Sequence, residues 1–362
     1  MSGAEAPVLA SVRNRIGHLC LNRPSGLNTL TLPMVRLLLQ HLHAWEQDPE
    51  VLAVVLRGNG EKAFCAGGDI RMLYDSYTSG GNQHELFLEE EYALDQYLHG
   101  YPKPVLALLD GFVLGGGMGL AQAASLRVVS ERAKLGMPEV GIGFFPDVGG
   151  SYFLPRLPGQ LGFYLGLTGL QVGAADALYA GLADHCLASE RLVEFDQALD
   201  SLSWSGSPLQ CLQQLLEAMA YGELPSSELK VLRQAIDDYF ALPDLAAIRA
   251  ALLSENRPEL LAWAQNCVRV LDSRSPLAMA VTLELLQRGR NLPLADCFAQ
   301  ELHLDYQWFE RGDLIEGIRA LIIDKDKAPR WNPPTLAELD PQRVQAFFSG
   351  FRCAASNPLR HA

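Results

Sequence analysis

The sequence predicts an α/β fold with much parallel strand pairing, followed by a helical C-terminal region. Three observations carry this reading. Short apolar runs alternate with helix-like stretches through the first half of the chain. Two of those runs pass directly into glycine clusters. From about residue 190, glycine thins out and helical periodicity takes over. The expected division is therefore an α/β core over 1–190 and a helical region over 191–362, the latter made of an insert at about 190–270 and further helices after it.

The elements follow in order. Val8–Val12 and Ile16–Leu21 flank Asn14-Arg15 and read as a hairpin. Thr31 stands where a helix cap would, with Pro33 in the first turn of a helix through Met34, Val35, Leu38, Leu42 and Trp45. The runs Val51–Leu56, Val105–Leu109 and Leu126–Val129 end in polar or glycine punctuation and read as strands. His84–Leu98 is helical by periodicity. Helical patterns then run through Leu209–Met219, Leu229–Phe240 and Leu245–Leu253, punctuated by Pro208, Pro225, Pro243 and Pro258. Thr335-x-x-Glu338 fits a capping box, and Pro341 after Asp340 marks a last helix start.

Composition narrows the function classes. The 362 residues include 29 basic and 42 acidic side chains, a net charge of −13, with 49% apolar residues. That balance belongs to a globular protein and excludes a disordered, collagenous or disulfide-dense chain. The negative charge gives no global attraction to nucleic acid or to an anionic membrane. No stretch reaches the roughly 20 apolar residues a membrane span needs, and Arg13, Arg15 and His18 break any signal-peptide core within residues 1–20. Seven scattered cysteines, with no Cys-x-x-Cys pair, read as reduced thiols of a cytoplasmic protein.

Chemistry concentrates in four segments. Lys62–Ile70 and Asp110–Gly119 are glycine-rich junctions that each follow a strand. Such junctions leave backbone N–H groups unpaired, and glycine lets a ligand approach the main chain, so two of them converging could hold a negatively charged oxygen. Met137–Gly150 carries two carboxylates, Glu139 and Asp147, among Val140, Ile142, Phe144 and Phe145. Acids in apolar surroundings have raised pKa values and can divide acid and base work. In the fourth, Glu89-Glu90-Glu91, a helical wheel turns Glu90 into the apolar arc of Leu86, Ala93, Leu94 and Tyr97 and leaves Glu91 at its rim.

Other candidates fail. Gly58-x-Gly60-x-x-Ala63 matches the dinucleotide fingerprint only literally, since another loop follows it instead of a helix. His41 and His43 point to different helix faces, with no third ligand spaced for zinc. Cys65 reads as a small packing residue rather than a nucleophile.

Taken together, these segments resemble the crotonase (enoyl-CoA hydratase/isomerase) superfamily. Asn22-Arg-Pro24 with Leu27-Asn28, Phe64-x-Ala-Gly-Gly-Asp69, Gly115-Gly-Gly117 and Pro138-Glu139 stand in that family's order, as do Asp313-x-x-Glu-Gly317 and Asp324-Lys-Asp-Lys-x-Pro329. The resemblance spans almost the whole chain. It implies a crotonase-like spiral of ββα turns, a thioester carbonyl held by the backbone N–H groups of Gly68 and Gly116, and coenzyme A in an extended groove. Coenzyme A is then part of a small-molecule substrate, and neither cofactor nor metal is expected. Family relatives often form trimers, but the extra helices could cover that face, so a homo-oligomer stays open.

Within the family, the chain is most similar to a hydrolase branch acting on short-chain 3-hydroxyacyl-CoA thioesters such as 3-hydroxyisobutyryl-CoA. That branch carries Met-Pro-Glu followed by Phe-Pro-Asp-Val-Gly-Gly, as Met137–Gly150 does, a comparable helical addition, and an Asp-Lys-Asp-x-x-Pro-x-Trp run like Asp324–Trp331. Hydratases of the family use a second glutamate three residues after the oxyanion glycine, where this chain has Gly119. The likeness implies that Glu139 attacks the carbonyl or activates water, that Asp147 binds the 3-hydroxyl or positions water, and that Glu91 lines the substrate site. The wheel's preference for Glu90 stands against that last assignment. Arg23 and Arg71 lie near the first glycine loop and could meet coenzyme A phosphates. A hydratase or isomerase of the same fold is the alternative activity, and an idle acyl-CoA-binding protein is the alternative of a different class.

Overall fold

The computed structural model describes residues 6–222 and 224–352. Residues 353–362 of the expected helical region, Cys353 among them, lie outside the described residues. The strands are β1 (Val8–Arg13), β2 (Ile16–Leu21), β3 (Ala53–Gly58), β4 (Ala63–Cys65), β5 (Val105–Leu109), β6 (Phe112–Leu114), β7 (Leu126–Ser130), β8 (Lys134–Gly136) and β9 (His185–Leu187). They form a six-stranded sheet in the order β1-β2-β3-β5-β7-β9 and a three-stranded sheet in the order β4-β6-β8.

The expected hairpin closes through Asn14 and Arg15, both left-handed at φ 43° and 63°. Two consecutive positive φ values give the turn whose twist matches the flanking strands. β1 is the antiparallel member, pairing Val8 with Leu21. The other neighbours run parallel, with Leu19 opposite Leu56, Leu56 opposite Ala107, and Leu106 opposite Leu126. Strands β3 and β4, then β5 and β6, then β7 and β8, each place the first of a pair in the large sheet and the second in the small one. A helix, Gly116–Ala123, follows β6 directly. This is the ββα repeat that the resemblance implied.

The chain forms two compact units drawn from interleaved segments. The first comprises the described parts of 1–69, 90–136 and 172–230, so residue 190 falls inside it. One face of its large sheet, with Ile16, Val55, Leu106, Leu108, Val128 and Leu187, buries Phe195 and Leu199 of the helix Leu192–Asp200 together with Leu212, Leu216 and Met219 of the helix Pro208–Met219. Arg57 on β3 adds a two-pronged ion pair to Asp196 at 2.8 and 2.5 Å. The first helices after residue 190 therefore buttress the sheet.

The second unit comprises the described parts of 70–89, 137–171 and 231–362 and is helical. Its longer helices include Pro258–Ser273, Pro276–Gly289 and Leu294–Arg311. Proline opens helices at Pro208, Pro258 and Pro341, as read from the sequence, and also at Pro276, because a residue without an N–H loses nothing at the first helical position. Two cap readings need correction. Thr31 precedes the Leu32–Gln47 helix but makes no side-chain cap bond. Thr335 gives its hydroxyl to the Glu338 carboxylate at 2.7 Å, and only a 3-10 turn, Leu336–Glu338, follows.

Close packing of the first unit turns on Gly117. A Cβ there would lie 2.3 Å from the Cys65 carbonyl oxygen on β4. Gly117→Ala is expected to cost ~1–3 kcal/mol through overpacking and to lower the melting temperature. Gly222→Ala, where an added carbon meets nothing within 4 Å, should leave it unchanged in the same thermal scan.

Candidate active site

In the first unit the two glycine junctions meet. Gly116 opens the Gly116–Ala123 helix after Gly115, whose φ is 51°. Its N–H belongs to the helix's first turn, which has no intrahelical partner. Gly68 forms a parallel bridge with Leu30, flanked by bonds from Leu30 N–H to the Gly67 carbonyl at 2.8 Å and from Asp69 N–H to the Leu30 carbonyl at 2.9 Å. Among the described residues, neither the Gly68 nor the Gly116 amide donates to a backbone carbonyl. A Cβ built on Gly116 would stand 3.5 Å from the Gly68 nitrogen and 2.3 Å from Glu91 Oε1. Two free amides and a buried carboxylate thus share one place, and only glycine at 116 leaves room for them.

The acid beside these amides is Glu91, 2% exposed. The helical wheel is corrected here. Glu90 points the other way, and its carboxylate takes a forked pair from Arg36 Nε and Nη2 at 2.8 and 2.6 Å. That bond and the Arg36 charge hold the Glu90 pKa below the usual range. The buried stripe runs through Leu88, Glu91, Tyr92, Leu94 and Leu98, while Ala93 is exposed. Ala93 is apolar but small, so it weighted the wheel without needing burial.

Cys65 is a packing residue, as read. It is fully buried, its Sγ sits 3.6 Å from the Gly67 carbonyl, and burial pushes the thiol up to about 12. Arg23 and Arg71 are engaged locally. Arg23 pairs with Asp69 at 3.1 Å and donates to the Thr29 carbonyl at 2.7 Å. In the second unit, Arg71 donates to the Ile322 carbonyl at 3.1 Å.

The second unit brings Glu139 and Asp147 together. Glu139 begins a 3-10 turn, Glu139–Ile142, that starts three residues after β8. Each of the two acids is 6% exposed, among buried Val140, Phe144 and Phe145. Glu139 Oε2 is buried without a hydrogen-bond partner among the described residues. Burial first, and then the charge of Asp147, hold the Glu139 pKa well above the usual glutamate range. A buried carboxyl with a raised pKa and no ion-pair partner is the kind of group found at functional sites.

Several contacts fix this segment, and they explain motifs whose role the sequence left open. Gly317 of Asp313-x-x-Glu-Gly317 packs on Ile142, where a Cβ would lie 2.0 Å from the carbonyl oxygen. Asp313 accepts from the Ser275 hydroxyl at 2.6 Å, and Ser275 N–H donates to the Val140 carbonyl at 3.3 Å. Arg319 gathers Glu316, Asp324 and Asp326 at 2.6–2.7 Å, so the Asp-Lys-Asp run is a structural tie.

Two further residues escaped the sequence reading. Trp308, fully buried, donates its indole N–H to the Gly143 carbonyl at 2.8 Å and packs edge-on against Phe145. Glu301, also fully buried, accepts from Gly149 N–H at 2.8 Å, Ser151 N–H at 2.9 Å and the Ser151 hydroxyl at 2.5 Å. Burial pushes its carboxyl up to about 8, against the lowering effect of those donors. The available signal was a glutamate inside the apolar helical stripe Phe298, Glu301, Leu304 and Trp308. Among the described residues, no group of three or more His, Cys, Asp or Glu is placed to hold a metal ion.

A family model described as enoyl-CoA hydratase/isomerase matches residues 16–348. A zebrafish (Danio rerio) protein named 3-hydroxyisobutyryl-CoA hydrolase, mitochondrial, is 37% identical over 96% of this chain and 91% of its own length. The Homo sapiens protein of that name is 34% identical over 95% of this chain and 89% of its own. Among solved structures, one titled a carnitinyl-CoA dehydratase from Mycobacterium thermoresistibile has a TM-score of 0.86 at 39% identity, covering 95% of this chain and 96% of that one. One titled an enoyl-CoA hydratase from Rhodobacter sphaeroides has a TM-score of 0.84 at 36% identity, covering 95% and 97%. The chain belongs to the enoyl-CoA hydratase/isomerase family, the crotonases.

Proposed function

We propose that this chain hydrolyses a short-chain 3-hydroxyacyl-CoA thioester, with 3-hydroxyisobutyryl-CoA, an intermediate of valine degradation, as its substrate. The observation that carries the reading is the buried carboxylate pair, with Glu139 Oε2 lacking any hydrogen-bond partner among the described residues. The names of the vertebrate relatives support the substrate class. The Gly68 and Gly116 amides take the carbonyl oxygen as it gains negative charge; one such donor is typically worth ~10²–10³ in rate. Ionised Glu139 then acts by one of two routes. It adds to the carbonyl carbon and expels the coenzyme A thiolate, leaving an anhydride that water opens, or it takes a proton from the water that attacks, and the tetrahedral adduct breaks its C–S bond to release the thiolate. Asp147 receives the substrate's 3-hydroxyl, and Glu91 lines the site beside Gly116. All these groups lie on one chain, and the reaction needs neither a metal nor a redox cofactor.

Gly119 weighs against hydration. It is buried within the Gly116–Ala123 helix and offers no carboxylate to share a water with Glu139. The hydratase reading is favoured by the titles of the two similar structures. No helix among the described residues is long and apolar enough to cross a membrane. The six described cysteines are free thiols, which fits the cytoplasmic setting expected from the sequence and equally a mitochondrial one, as in the relatives' names.

Glu139→Gln is expected to cut turnover by ~10²–10⁴-fold while acyl-CoA binding, measured by calorimetry, stays largely intact. The same variant reports on folding. Burial raises the folded-state pKa of Glu139 above the unfolded one. Stability tied to the neutral acid is therefore full below the unfolded value and lost as pH rises through the folded one. The melting temperature of Glu139→Gln relative to wild type should accordingly climb from acid to alkaline pH. A flat difference would mean that Glu139 ionises without penalty.

Asp147→Asn should slow 3-hydroxyisobutyryl-CoA ~10–100-fold more than isobutyryl-CoA, the scale of one charge-assisted hydrogen bond. Removing the Asp147 charge also lowers the Glu139 pKa, so the acid limb of the kcat/KM profile should move to lower pH. Equal losses on both substrates with an unmoved limb would contradict both roles.

A further inference from the structure

The turn that carries Asp147 is strained. Val148 and Gly149 follow it with φ of 50° and 85°, and Gly150 N–H closes back on the Asp147 carbonyl at 2.7 Å. Glycine tolerates the left-handed region, but a β-branched valine there is an outlier that persists only when its surroundings over-determine it. The surroundings that do so lie on the Leu294–Arg311 helix. Phe298 seals Gly149, where a Cβ would come within 3.1 Å of the ring. One turn later, Glu301 spreads its two oxygens across the turn: Oε2 takes Gly149 N–H, and Oε1 takes both the N–H and the hydroxyl of Ser151. Glu301 and Ser151 are each fully buried. All three partners can present a proton to this carboxyl, and its two oxygens bridge from two residues after Asp147 to four residues after it.

We propose that Glu301 is a positioning residue for the reaction: by clamping Gly149 and Ser151 it fixes the left-handed Val148–Gly149 step and so aims the Asp147 carboxylate at the substrate's hydroxyl. The inference rests on the role given to Asp147 above. A glutamine at 301 has the same size but only one accepting oxygen, so its NH₂ meets either Gly149 N–H or Ser151 N–H donor to donor. Ser151→Ala removes one of the three bonds and leaves both backbone donors in place, which makes it the milder variant.

The test compares kcat/KM for 3-hydroxyisobutyryl-CoA and isobutyryl-CoA in wild type, Asp147→Asn, Glu301→Gln, Ser151→Ala and the double variant Asp147→Asn/Glu301→Gln. Glu301→Gln should lower the hydroxyacyl-to-acyl ratio ~10-fold, in the direction set by Asp147→Asn, as expected for a misaimed charge-assisted bond. Ser151→Ala should lower it less, with a melting temperature near wild type. The double variant should have the ratio of Asp147→Asn alone, because residues acting through one another are not additive. If Asp147→Asn shifts the ratio and neither Ser151→Ala nor Glu301→Gln does, Glu301 is only a structural tie and the proposal fails. Should Glu301→Gln not fold, Ser151→Ala decides by itself. If Asp147→Asn leaves the ratio unchanged, the Asp147 role is what fails, and the Glu301 proposal falls with it.

Discussion

The second unit is organised around the burial of one carboxyl group, Glu139, next to another. Taking a carboxylate out of water costs several kcal/mol when no partner compensates it, and the Asp147 charge adds to that cost. A chain left to itself would relieve the strain by turning Glu139 outward. It is prevented because the segment from Met137 to Ser151 is tied along its length. Gly317 packs on Ile142, Ser275 bonds Val140, Trp308 bonds Gly143, and Glu301 bonds Gly149 and Ser151. Each tie is an ordinary contact of ~1 kcal/mol, and together they oppose that outward turn. The energy of packing is converted into a carboxyl with a displaced pKa.

The first unit meets a different demand, which is bare backbone. Amides can bind a developing oxyanion only if nothing else has claimed them and no side chain covers them. In the proposed reaction those amides are Gly116, at the end of β6 and the start of the helix after it, and Gly68, held by the bridge at Leu30. Three consecutive glycines, 115 to 117, serve three separate purposes there. Gly115 takes a positive φ, Gly116 leaves room for Glu91, and Gly117 lets the helix approach Cys65.

Much of this was legible in the sequence, and the failures have physical causes. The Asn14-Arg15 turn, the proline-led helices and the long strands stood out because local rules decide them. Strands β4, β6 and β8 did not, since three-residue strands are too short to show a period and are set by pairing with one another. The acids at 139 and 147 were visible because polar residues interrupt an apolar, glycine-shaped run. Glu91 was misjudged against Glu90 because Arg36, fifty-odd residues away, draws the latter outward. Glu301 interrupts an apolar helical stripe, but what it binds was not legible for a similar reason: Gly149 and Ser151 lie about 150 residues earlier in the chain.

The most direct measurement gives purified protein 3-hydroxyisobutyryl-CoA and crotonyl-CoA in parallel, following free thiol with a thiol reagent and the enoyl absorbance. The account predicts rapid thiol release from the hydroxyacyl ester and an unchanged enoyl signal. Consumption of crotonyl-CoA without thiol release from either ester would contradict it and make the chain a hydratase despite Gly119.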